Sequence, residues 1–79
     1  MDKALVGEMN IMDRSGHKQM KWNTDKLDEI LAAKETFDTL IKEGYSAFGS
    51  KSKTEAKHSI REFDSTMEEM VIVPRTVGG

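Results

Sequence analysis

Residues Met70-Val71-Ile72-Val73-Pro74 form the most apolar run in the chain. Three consecutive β-branched residues favour a strand, because branching at Cβ limits χ1 and suits a pleated surface. A run without polar alternation belongs to a strand that is covered on both faces or placed mid-sheet. Pro74 has no N–H to donate, so it marks the strand's end or an edge position. The chain is therefore expected to fold around a last strand, Glu69 to Val73, with the rest arranged to bury it.

The whole sequence, 79 residues long, bounds how that burial is done. A chain of this length makes one domain, residues 1–79, with one small core and marginal stability. It has no cysteine, so neither disulfides nor thiolate metal sites support it. That usage suits a reducing compartment, and a cytoplasmic location is expected. Charged residues are 33% and hydrophobic ones 37%, with a formal net charge of -2. A dedicated nucleic-acid binder is usually basic, so that class is disfavoured. No apolar stretch approaches the ~20 residues of a membrane span. The first eight residues lack a sustained apolar region, so no signal peptide is expected.

In chain order, residues 1–8 read as a loose lead-in. Glu8-Met9-Asn10-Ile11-Met12 alternates polar and apolar residues, as a half-buried strand does. Asp13-Arg14-Ser15-Gly16 reads as a tight turn. His17 to Trp22 alternates again, completing a β-hairpin. Asn23-Thr24-Asp25 is a cluster of helix-capping residues. In the helix that follows, Leu27, Ile30, Leu31, Ala33, Phe37, Leu40 and Ile41 fall on one broad face. Lys34 lies at the edge of that face, where its stem packs and its ammonium reaches water. Gly44 stands where a glycine closes a helix. Tyr45 to Phe48 is expected as a short strand, and residues 49–57 as an exposed loop. His58 to Phe63 is another strand, with a bulge or early end at Phe63 because Ile60 and Phe63 break strict alternation. Asp64-Ser65-Thr66 is a turn.

The pattern is β-β-α-β-β-β: an α+β fold with one helix packed on a mostly antiparallel sheet. The core is expected to combine the helix face with Met9, Ile11, Met20, Trp22, Phe48, Ile60, Met70 and Ile72. Six methionines in so short a chain suit an adaptable core.

Catalytic chemistry has little to work with. His17 and His58 fall in no Ser/His/Asp signature and read as solvated surface residues. Glu68-Glu69 and Asp28-Glu29 are adjacent pairs whose side chains diverge, so neither makes a shared acid–base site. No metal-ligand spacing stands out, and no glycine-rich phosphate loop precedes the helix. The reading is of a non-enzymatic chain without catalytic residues, metal or cofactor. Lys51, Lys53, Lys57 and Arg61 make a basic group that either binds an anionic partner or only solvates its loop.

Two adjacent glycines end the sequence, about one chain in 200 by composition alone. A side-chain-free end can thread a narrow channel and present its carboxylate. An initial hairpin, a long helix, further strands and a last strand running into Arg75-Thr76-Val77-Gly78-Gly79 resemble the β-grasp fold of ubiquitin-like modifiers and sulfur carriers. Roughly residues 8 to 79 can be laid on that plan, while only the Gly78-Gly79 pair matches at residue level. The strand at Tyr45 departs from it by following the helix almost immediately, and no short 3₁₀ segment is evident before the last strand. The resemblance implies that the Gly79 carboxylate is adenylated by an activating enzyme, then conjugated to a lysine or converted to a thiocarboxylate. It implies a flexible conjugation or docking tail at residues 75–79.

A second resemblance competes. Ile60-Arg61-Glu62-Phe63-Asp64, then Met70-Val71-Ile72-Val73-Pro74 and the glycine pair, is similar to small uncharacterised proteins of tailed phages. That likeness implies a virion component or accessory protein whose tail docks on a neighbouring structural subunit. Both likenesses lead to a protein partner, with no membrane and no cofactor.

Overall fold

A computed structural model gives the fold and describes residues 5–13 and 16–74. The elements run β1 (Val6–Asp13), β2 (Gly16–Asn23), α1 (Leu27–Lys42), β3 (Ser46–Ser50), β4 (His58–Ile60) and β5 (Glu69–Val73). They form one five-stranded sheet in the order β2-β1-β5-β3-β4. β1 runs antiparallel to β2 and parallel to β5, while β3 runs antiparallel to both β5 and β4. The sheet is mixed, with its parallel pair at the centre and the helix packed on one face, in a small α+β domain. The apolar run accordingly occupies the central strand.

Burial on β5 alternates rather than running through. Met70 and Ile72 are fully buried, and Val71 and Val73 are half-buried. The run is thus explained by its mid-sheet position and not by cover on both faces. Side chains alternate across a strand, so the register assigns each residue a face. Met9 and Ile11 lie level with Met70 and Ile72, Ala47 lies level with both Ile72 and Ile60, and all of these turn towards the helix.

Several sequence expectations need correction. β1 starts at Val6, so the lead-in is shorter than eight residues. Gly49 and Ser50 belong to β3, and Ser50 is 1% exposed, so the loop begins at residue 51. β4 ends at Ile60, and Phe63 lies beyond it. There Phe63 packs edge-on against Trp22 and Phe37, at centroid distances of 5.0 and 5.9 Å. Phe48 is not a core residue. Its strand register turns Ala47 inward, 2% exposed, and leaves Phe48 on the opposite face.

The helix face is narrower than the wheel implies. Ala33 and Phe37 are buried, and Ile30, Leu40 and Ile41 pack at the core's margin. Leu27 and Leu31 are exposed, at 68% and 55%. The helix lies chiefly over β2, and the rest of the sheet's inner face is filled by Trp22, Phe63 and Met67. A flank about 100° from the buried stripe has nothing left to cover it. Lys34 joins that exposed flank and pairs with Asp38 one turn on, at 2.7 Å.

The ends of α1 are set locally. Asn23 does not cap the helix directly. Its Oδ1 accepts from Asp25 N–H at 2.8 Å, and Lys26 precedes the helix without a side-chain cap. Glu29 reaches back to accept from Asn23 N–H at 2.8 Å. At the other end Gly44 has φ +99°. Tyr45 N–H donates to Leu40 O and Gly44 N–H to Ile41 O, each at 3.0 Å, the paired bonds of a Schellman closure.

Candidate functional site

Arg75, Thr76, Val77, Gly78 and Gly79, the expected conjugation or docking tail, lie outside the described residues. The structure does place the strand that leads to them, since β5 ends at Val73 between β1 and β3 and Pro74 follows it out of the sheet.

The basic group is brought together only in part. Lys53 Nζ stands 3.1 Å from Glu8 on β1, and Lys57 pairs with Glu69 on β5. Lys51 donates to Thr66 Oγ1 at 2.6 Å and lies 3.4 Å from Asp64. Arg61 sits apart, at a cleft of about 480 Å³ bounded by Ile41, Tyr45, Ser46, Ala47 and Ile60. Three of the four cations are therefore matched by carboxylates of the same chain, which lowers the positive potential that an anionic partner would meet. Composition could not show this, because the partners are 12 to 45 residues away in sequence and meet only in the folded chain.

The more informative surface is the outer face of the sheet, opposite the helix. Gln19, Asn10, Val71, Phe48 and Ser59 form one row across the five strands. Towards one end lie His17, Met12, Val73 and Ser46; towards the other lie Lys21, Glu8, Glu69 and Ser50. Val71 and Phe48 thus sit level on neighbouring strands, with Val73 and Met12 beside them. Met12 is 41% and Phe48 36% exposed. This apolar group runs from the central row to the Val73 end of the face, among mostly polar neighbours.

Hydrogen bonds fix the polar side of that face. Asn10 Nδ2 donates to Glu8 Oε2 at 3.1 Å. Gln19 Nε2 donates to Asn10 Oδ1 at 3.0 Å and to Glu8 Oε2 at 3.3 Å. His17 Nε2 lies 3.2 Å from Asn10 Oδ1. The Asn10 amide, then the Lys53 ammonium, hold the Glu8 carboxyl below its usual value. The same contact with Glu8 raises Lys53. Asp64 is lowered by the hydroxyl and backbone N–H of Thr66, with Lys51 adding to this. These groups are stabilised in their charged forms, which suits structural pairing rather than proton transfer. His58 is exposed at the start of β4. Among the described residues no group of three or more His, Asp or Glu is placed to hold a metal ion. Among the described residues no helix is long and apolar enough to cross a membrane.

The alternation rule contains the signal for this surface. Glu8, Asn10 and Met12 share one parity, as do Val71 and Val73, but which strands lie side by side is needed before they become one patch. No family model matches this chain, and no curated protein or solved structure gives a significant match.

Proposed function

We propose that this chain is a non-catalytic protein-interaction module, a ubiquitin-like modifier or carrier of the cytoplasm that acts through Gly79. The observation that carries the reading is the position of β5. The strand before the glycine pair is central in the sheet, flanked by a parallel β1 and an antiparallel β3. A tail leaving such a strand is anchored by the whole core, so a partner can pull on residues 75–79 without unpicking an edge. The apolar group of Val71, Val73, Phe48 and Met12 gives that partner a docking area beside the point where the tail departs.

The chemistry needs a free carboxylate at Gly79. That carboxylate attacks the α-phosphate of ATP and releases pyrophosphate, and the acyl adenylate then loses AMP to a nucleophile. No side chain of the chain itself takes part in bond making.

Incubation with a cognate activating enzyme and ATP, read by intact mass, tests the reading. An acyl adduct that disappears on deletion of Gly79 supports it. No adduct on the wild type, or an adduct that survives the deletion, overturns the modifier reading. Loss of assembly with a structural subunit on deleting residues 75–79, with no adduct, would instead favour a tail that docks as an added strand.

A further inference from the structure

The β3–β4 connection, residues 51–57, crosses to the outer face of the sheet and is tied there by charged groups. Its one apolar residue, Ala56, is exposed, so no hydrophobic burial anchors it. Lys53 makes two ties: its ammonium to Glu8 at 3.1 Å and its backbone N–H to Glu68 Oε1 at 2.9 Å. Lys57 reaches Glu69, and Lys51 reaches Thr66 and Asp64. Each of these lysines thus ends on a different strand or turn of the body.

What the connection covers is specific. Glu8 and Glu69 lie level on the two central strands, and Ser50 lies level with Glu69 on β3. The Glu8 and Glu69 side chains are only 14% and 20% exposed. Ser50, 1% exposed, donates its hydroxyl to Ser52 O at 2.7 Å at the root of the connection. Lys21 on β2 is the further cation facing Glu8. Ion pairs at a surface are individually weak and are screened by salt. A segment held by such pairs and a few surface hydrogen bonds, with no apolar burial, opens at lower cost than the strands it covers.

We propose that residues 51–57 are an ionic strap over the Glu8–Glu69 end of the outer sheet face, released by salt while the strands beneath it stay folded.

Amide hydrogen exchange on the full chain, followed residue by residue, tests the strap. On raising sodium chloride from about 0.05 M to about 1 M, the Lys53 amide should lose protection by on the order of tenfold. The amides of Met9, Ile11, Met70 and Ile72 should keep theirs. The double variant Glu8→Gln, Glu69→Gln should show the open behaviour already at low salt. If that variant fails to fold, its core amides reveal it and the wild-type salt series decides alone. A Lys53 amide indifferent to salt overturns the strap. So does a strap that loses protection only together with the core.

Discussion

Gly7 lies directly beneath the indole of Trp22, its partner in the β1–β2 register. A Cβ on Gly7 would meet the ring, with Nε1 only 2.7 Å away. Trp22 is fully buried, and its Nε1–H donates to Ser65 O at 3.0 Å, so the ring cannot swing aside freely. The glycine is there for space. Gly7→Ala should destabilise the domain by about 1–3 kcal/mol, the usual cost of overpacking, read as a shift in the urea midpoint. An unchanged midpoint would show that the ring yields.

Ala47 and Phe48 should respond oppositely to their size. Ala47→Leu forces methylenes into a filled core and should cost about 1–3 kcal/mol. Phe48→Ser removes a residue from the outer face and should cost about 1 kcal/mol or less. Denaturation of the two variants side by side checks the assignment of faces, and a Phe48→Ser variant that unfolds readily would contradict it.

Acid should weaken the fold through Glu8 and Asp64. Hydrogen bonds from Asn10 and from Thr66, respectively, hold these carboxyls below their ordinary values, with Lys53 and Lys51 adding to the effect. A carboxyl lowered on folding contributes stability above its unfolded pKa and loses it as pH falls through the folded one. Stability from these groups should therefore be intact at neutral pH and decline from about pH 4.3 downward. Thermal melts across that range check it. Asp64→Asn should flatten the decline, because the substituted side chain does not titrate.

Gly44 should resist substitution despite the open space around it. Its φ of +99° is strained for a residue with a Cβ. Gly44→Ala should cost about 1–2 kcal/mol and loosen the last turn of α1, read as lost amide protection at Tyr45, whose N–H bonds Leu40 O. Protection that survives the substitution would mean that the closure does not depend on glycine.

The element order was legible because each element carries its own period. Alternation marks β1 and β2, the wheel marks α1 and its closing glycine, and the β-branched run marks β5. Errors gathered where size was taken for burial. Phe48 is larger than Ala47, yet the register with β5 turns Ala47 inward. Leu27 and Leu31 share a wheel with Phe37, yet the helix meets the sheet along a narrower stripe. Met67 carries no sequence signal of burial because it stands alone in a polar turn, yet it is only 7% exposed. The strap has the composition of a solvated loop, since nothing in Lys51–Lys57 announces carboxylates on other strands.

The sequence by itself determined the α+β class, the initial hairpin, the one helix and the apolar last strand, because local period and branching act over a few residues. Only the tertiary structure decided the strand order, and with it the parallel β1–β5 pair, the apolar group of the outer face and the pairing of Lys53 with Glu8. Those features join residues far apart in the chain. Their partners are chosen by how the sheet closes over its one small core, a choice no local pattern records.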